Sequence, residues 1–390
     1  MSGDWLSLHG GFARGNPTRT SKFDNLLSTV RSALRGALAL PARLSHRRRL
    51  SGIRRSDRTT PVVSFGGVLE GRRLIHGGAV KLIHLRDACV WNERTFNLLY
   101  LVSSALPAFA EDLLDRCERL GIALVWNQNG VAYPGWAGKE ANRYNDPMRR
   151  LRAKSKYVIY QSAFCRDSAE LFLGHADAAS EVIYNPVDLK KFRPAEDPLP
   201  AIPLRLLTLG THGYPERVFS AVRCARVLID AGISCSLTIA GRLGWAGGSA
   251  DTRREIARVG LERAVTVLSS FTQDEAAELY RRHHILLHPK YLDPCPTVVI
   301  EALSCGLPVI GSASGGLPEM VAPSCGALIP APLSWEKLMT PTGEELATAV
   351  ESLLPRLKEA AIAARAHAEA NFDGTKWVER HATIFRSVLE

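Results

Sequence analysis

The chain has 390 residues, 46% of them hydrophobic and 23% charged, which is enough apolar material for packed cores and excludes a globally disordered chain. The length suits two domains of about 150 to 200 residues, and no apolar run approaches the ~20 residues that cross a bilayer, which excludes a polytopic membrane protein. The formal net charge is +10, but residues 1–60 hold twelve Lys and Arg against Asp4, Asp24 and Asp57, a net of +9, so the remaining 330 residues are close to neutral.

Residues 1–60 therefore read as a basic arm. Its first 21 residues are rich in Gly, Ser, Thr and Arg and are expected to be unstructured. Across 22–45, Leu26, Leu27, Val30, Leu34, Leu38 and Leu40 recur at roughly helical spacing, interleaved with Arg31 and Arg35, and His46-Arg47-Arg48-Arg49 follows. Residues 22–58 are expected to meet an anionic membrane surface. A partly helical tail, a helix packed on the domain and an organellar transit segment are the alternatives. Nucleic acid is not an expected partner, because the arm has little aromatic interleaving and the body is near neutral. No apolar signal-peptide core occupies the first twenty residues, and the eight cysteines form no C-x-x-C pair. Reduced, buried thiols fit a cytoplasmic protein, and the basic arm is expected to hold it peripherally on the inner face of the cytoplasmic membrane.

From residue 61 the pattern becomes strand, Gly-rich turn, helix. Residues 61–65 read as a first buried strand ended by Gly66-Gly67. Residues 122–126, 157–160 and 182–184 read as further strands, with helices such as 109–120 between some of them. Residues 194–203 hold four prolines and read as an interdomain linker. A second series follows, with strands at 205–209, 236–240, 265–268, 285–287 and 309–310 and a helix at 216–231. Residues 342–390 have a helical pattern broken at Pro355 and near Gly374. Alternating strands and helices argue for α/β domains with doubly wound parallel sheets, whose ligands bind at the carboxyl ends of the strands.

The stretch from His288 to Glu319, HPKYLDPCPTVVIEALSCGLPVIGSASGGLPE, carries the chemistry. A strand ends at His288, a loop holds Asp293, and Pro296 opens a helix, where a missing N–H costs nothing. The free amides at Thr297 and its neighbours suit an anion such as phosphate. Carboxylates suit sugar or ribose hydroxyls. An anion hole flanked by Asp293 and Glu301 fits a sugar nucleotide. Asp293 as a mere helix cap is the plainer alternative, and Glu301 in an apolar helix needs a partner because a buried lone carboxylate is costly. His284 and His288 would stand ~13 Å apart along a strand, too far to share a metal ion.

Asp293 and Glu301, with Pro289, the run Glu301 to Val309 and Gly315-Gly316-Leu317-Pro318-Glu319, resemble the E-x7-E region of the retaining glycosyltransferases of family 4. Ile239-Ala240-Gly241, Asn185-Pro186-Val187-Asp188 and His76-Gly77-Gly78-Ala79 resemble other landmarks of that family. The resemblance implies the GT-B architecture: two facing Rossmann-like domains with a central cleft. Its boundaries here would be a basic arm 1–60, an acceptor-binding domain 61–195, a donor-binding domain 196–373 and a helix 374–390 returning to the first domain.

It also implies roles. Asp293 and Glu301 are the catalytic pair, Asp293 touching the donor sugar and Glu301 the ribose. Gly77, Gly78, Arg217, Thr297 and Val298 bind the donor, with Arg217 on its diphosphate. Asn127, Gln128 and Asn129 face the cleft on the acceptor side. No metal and no cofactor is implied; the substrates are a nucleotide sugar and a saccharide or lipid-linked saccharide, in cell-surface polysaccharide or glycoconjugate synthesis. A sugar-nucleotide epimerase and a non-catalytic nucleotide-sugar-binding member are the rival readings. The chain departs from the family pattern in four places: Asp293 replaces a Glu, Pro294-Cys295-Pro296 replaces Gly-Phe-Gly, Gly210-Thr211-His212 lacks the usual Arg, and Asn127-Gln128-Asn129 stands where a His is common.

Overall fold

The computed structural model describes residues 45–69, 77–197 and 199–390. Residues 1–44, which carry most of the basic arm, and His76 of the His76-Gly77-Gly78 motif lie outside the described residues.

The first domain is built on a five-stranded parallel sheet in sequential order: β1 (Val63–Ser64), β2 (Leu98–Val102), β3 (Ala123–Gln128), β4 (Tyr157–Tyr160) and β5 (Ala179–Val182). Alternate residues of each strand point to opposite faces. Leu99 and Leu101 of β2, with Leu124 and Trp126 of β3, pack under α2 (Ala110–Arg119), α3 (Ala141–Ala153) and α4 (Ala163–Leu173). Tyr100 and Val125 face the other way, against α1 (Gly77–Ala88). The domain begins upstream of the expected residue 61. Ile53 is 1% exposed, Arg54–Arg55 pair with Thr95–Phe96, and Arg49 forms an ion pair with Glu93. Part of the arm's basic stretch is thus spent on the domain itself.

The second domain is a six-stranded parallel sheet in the order β8-β7-β6-β9-β10-β11. Its strands are β6 (Leu204–Leu209), β7 (Cys235–Ala240), β8 (Val265–Leu268), β9 (Ile285–His288), β10 (Val309–Ala313) and β11 (Gly326–Pro330). Helices cover both faces, so β6 and β9 read as near-continuous apolar runs. On one face lie α7 (Gln273–Arg281), α8 (Thr297–Ser304) and α10 (Leu357–Asn371); on the other lie α5 (Glu216–Asp230), α6 (Gly248–Arg258) and α9 (Gly343–Leu353). Thr272 and Thr342 begin α7 and α9 with reciprocal capping boxes to Glu275 and Glu345, the S/T-x-x-E pattern visible in the sequence.

The chain crosses between domains twice, and the crossings touch. The Val187 amide donates to the Phe372 carbonyl at 2.9 Å, and the Gly374 amide donates to the Val187 carbonyl at 3.0 Å. Beyond Gly374, α11 (Gly374–Ser387) lies on the first domain, burying Trp377, Ile384 and Phe385 against Val63 and Tyr100. Among the described residues no helix is long and apolar enough to cross a membrane.

Candidate active site at the domain cleft

The strand order of the second sheet reverses between β6 and β9, the position outside whose strand carboxyl ends open α/β sheets bind ligands. Beyond β6, Gly210 (φ +117°) stands between Arg217 of α5 and Val298 of α8: a Cβ there would lie 3.8 Å from Arg217 Nη2 and 3.5 Å from Val298 Cγ1. The Arg217 guanidinium is buried, donating to the carbonyls of Thr211 at 2.9 Å and Leu209 at 3.1 Å, while its Nε has no partner. Burial lowers its pKa from the ordinary arginine value, partly offset by Tyr214 and Asp293.

Beyond β9, the loop 289–296 carries Asp293. Its Oδ2 receives Nε2–H of His288 at 3.0 Å and Lys290 Nζ at 3.0 Å. Burial would raise this carboxyl, but Lys290 and His288 overcome it and hold the group well below the usual carboxylate range. Burial pushes His288 down to about 4, so its imidazole is neutral near pH 7 and its Nδ1 is a buried acceptor without a donor. Gly315 and Gly316 let this loop nest: the Gly316 amide donates to the Asp293 carbonyl at 2.9 Å.

Helix α8 starts at Thr297 with Pro296 as N-cap and no side chain capping it. The amides of Thr297 and Val298 have no acceptor inside the helix, and both residues are only half-buried. Glu301, one turn further, is 5% exposed and accepts the Tyr280 hydroxyl at 2.9 Å. Burial pushes its carboxyl up to about 7, moderated by that hydrogen bond and by Lys191.

Arg217 therefore neighbours Val298 and Asp293, and Thr297, Val298 and Glu301 share the first turns of α8. The first-domain candidates are placed differently. Asn127 and Gln128 are 1% and 0% exposed, and their amides are engaged within the protein. Asn127 donates to the Tyr100 hydroxyl and accepts from Gln161; Gln128 accepts from Trp126 and donates to the carbonyls of Asn129 and Gly130. Gln128 thereby holds the turn after β3, while Asn127 links β3 to Tyr100 and Gln161. Asn129 is half-buried beside Gly130, which packs on Pro294, so it stands at the cleft rim. Gly77 and Gly78 begin α1. A Cβ on Gly78 would meet Ser104 Oγ at 2.6 Å, so the packing of the neighbouring turn requires a glycine there.

The sequence reading missed Lys290 and Tyr280 as partners of the two carboxylates. It also treated His288 as a strand flank. Lys290 stands three residues before Asp293, a spacing that could have been weighed; Tyr280 lies on a different helix and leaves no local signal. His283 and His284 bond Thr238, Leu279 and Arg205 separately. Among the described residues no three metal-ligating side chains gather.

Residues 203–340 match the family model described as Glycosyl transferases group 1. A D-inositol 3-phosphate glycosyltransferase of Salinispora arenicola is 27% identical over 226 residues, 51% of this chain and 50% of the relative. The gpi3 subunit of phosphatidylinositol N-acetylglucosaminyltransferase of Schizosaccharomyces pombe is 41% identical over 61 residues, 16% of this chain and 13% of the relative. The chain spans half or less of the length of these curated relatives. Among solved structures, HepE of Anabaena in complex with UDP-glucose superposes with TM-score 0.65 at 17% identity, covering 84% of this chain and all of that one. Sucrose-phosphate synthase of Thermosynechococcus elongatus gives 0.62 at 18%, covering 80% and 76%. The fold is that of the GT-B glycosyltransferases, two Rossmann-like domains.

Proposed function

We propose that this chain, whose residues 203–340 form a group 1 glycosyl transferase domain, moves a sugar from a nucleotide-activated donor to a hydroxyl acceptor. The observation that carries this is the convergence of an uncapped helix N-terminus, a buried arginine with a spare donor and two carboxylates at one strand switch point. The amides of Thr297 and Val298 and the Arg217 guanidinium stabilise the charge on the departing diphosphate. The Glu301 carboxylate accepts the ribose hydroxyls. The Asp293 carboxylate sits beside the donor sugar, where a fixed negative charge favours an oxocarbenium-like transition state.

Same-face substitution then needs no further side chain. The bond from the anomeric carbon to the phosphate oxygen breaks, the acceptor oxygen bonds to that carbon, and the acceptor proton passes to the leaving phosphate. The anomeric configuration is retained. Arg217 and the helix amides take the place of a metal ion, so the reaction proceeds in EDTA. The acceptor is a saccharide or lipid-linked saccharide, met at the inner face of the cytoplasmic membrane with the help of the basic arm.

The test is a thermal-shift panel of UDP, GDP, ADP and dTDP and their common sugars, run in EDTA. A ligand at 100 times its dissociation constant adds about 2.7 kcal/mol. A response to one nucleotide supports the reading and names the donor class; a flat panel from folded protein counts against it. Product NMR then reads the anomer, and an inverted product would overturn the same-face route.

A further inference from the structure

Lys81 lies in the middle of α1 and is 3% exposed. A buried ammonium costs several kcal/mol unless a counter-charge and hydrogen bonds offset it. Here the offset is small. Nζ donates to Asn185 Oδ1 at 2.5 Å, and among the described residues no carboxylate pairs with it. An ammonium has three protons, so two remain uncommitted. The ionisable groups around it do not supply an anion. Burial pushes the Cys165 thiol up to about 12 and the Cys295 thiol higher still, so both are protonated at neutral pH, and His381 is held neutral by its own burial.

The position of this cation gives it a target. Asn185 donates through Nδ2 to the Cys295 carbonyl at 2.8 Å. The relay Lys81–Asn185–Cys295 thus ends two residues before Thr297, where the free amides of α8 begin. Arg217 stands near the same helix end: its Nη2 and Val298 Cγ1 both lie within 4 Å of where a Cβ on Gly210 would be. A diphosphate carries more than one negative charge, and Arg217 supplies one positive charge to meet it.

We propose that Lys81 is a binding residue of the first domain for the donor's diphosphate, bracketing that anion together with Arg217 of the second domain. The assignment rests on the nucleotide-sugar reading above. It makes the diphosphate a bridge between the domains and supplies the counter-charge that the protein itself withholds from Lys81.

Inorganic pyrophosphate, which has no base or sugar, is the probe. Titrate the full chain calorimetrically, comparing the unaltered protein with Lys81→Met, Lys81→Gln and Lys81→Arg, and follow Tm for each. The proposal expects pyrophosphate affinity to fall at least tenfold in the Met and Gln variants and to stay within threefold in the Arg variant. Gln keeps a donor for Asn185 without the charge, so it carries the comparison if the Met variant does not fold. A lysine that only ties the domains together would lower Tm in the neutral variants and leave their pyrophosphate affinity within twofold; that result overturns the proposal. If the unaltered protein binds neither pyrophosphate nor UDP, GDP, ADP or dTDP, the transferase reading falls with it. If it binds them and the neutral variants bind equally well, the lysine assignment alone falls.

Discussion

Gly315 lies against the backbone of Asp293: its φ is +66°, and a Cβ there would stand 2.4 Å from the Asp293 carbonyl oxygen and 2.7 Å from its amide nitrogen. Left-handed backbone costs an L-residue about 1–2 kcal/mol, and here the clash is with backbone that cannot turn aside. Gly315→Ala should displace the Asp293 loop. Transfer should fall at least a hundredfold. Nucleoside diphosphate affinity should fall less than tenfold, because Arg217 sits on α5, and Glu301, 5% exposed, lies one turn inside α8 and is held by Tyr280. Steady-state kinetics beside a nucleotide titration read the difference, and equal losses in both would count against the separate roles.

Asp293 keeps its charge because His288 and Lys290 meet the same carboxylate oxygen. Asp293→Asn preserves the shape and removes the charge. A fixed charge next to a developing cation is worth about 3–4 kcal/mol, so kcat should drop by roughly two to three powers of ten. Nucleoside diphosphate affinity should change only a few-fold. The carboxyl is held well below the usual range, so the kcat profile of the unaltered enzyme should show no acid limb from this group between pH 5 and 7. A limb in that window, absent from Asp293→Asn, would contradict the ion pairing with Lys290.

The second domain was legible in the sequence because its signals are local. Gly306 at φ +72° ends α8, and Thr342 with Glu345 caps α9. The run from Asp293 to Glu319 folds into neighbouring pieces of one crevice. The first domain was read less well. The strand β2, Leu98–Val102, is buried on both faces and shows no polar alternation, so its apolar run fits a helix as well as a strand. Asn127 and Gln128 follow a strand as cleft residues do, yet their amides face Tyr100, Gln161 and Trp126, which are distant in sequence or belong to the core. Lys81 has no motif around it; its partner Asn185 stands 104 positions away in the sequence, so no local pattern announces the contact.

Glu319 explains the last residue of the Gly315-Gly316-Leu317-Pro318-Glu319 string. Its carboxylate crosses the cleft and accepts the amides of Ala163 at 2.7 Å and Phe164 at 2.8 Å, the start of α4 in the first domain. A carboxylate on a helix N-terminus gains from both the hydrogen bonds and the helix dipole, about 0.5–2 kcal/mol. Ser162 adds a bond to the Pro294 carbonyl at 2.7 Å beside it. Glu319→Ala should loosen the closed arrangement. Small-angle scattering should show a larger radius of gyration without nucleotide, and KM should rise more than kcat falls. An unchanged radius and unchanged KM would mean that other contacts across the cleft suffice.

Glu301 makes a pH prediction with a definite sign. Burial raises its folded-state pKa to about 7 from an ordinary 4.5, so the folded protein holds this proton more tightly than the unfolded chain. Its contribution is therefore favourable below the ordinary value and is lost as pH rises through 7, amounting to at most roughly 3 kcal/mol. Glu301→Gln should be more stable than the unaltered apo protein at pH 8, with the gap closing toward pH 4.5; denaturant titrations at the two pH values measure it. Ribose hydroxyls favour the ionised form by donating to it. Nucleotide affinity should therefore rise with pH up to about 7 and then level off, with proton release on binding at pH 6. Calorimetry in two buffers of different ionisation enthalpy counts that proton. A flat affinity profile, or the same release from Glu301→Gln, would remove the ribose contact from Glu301.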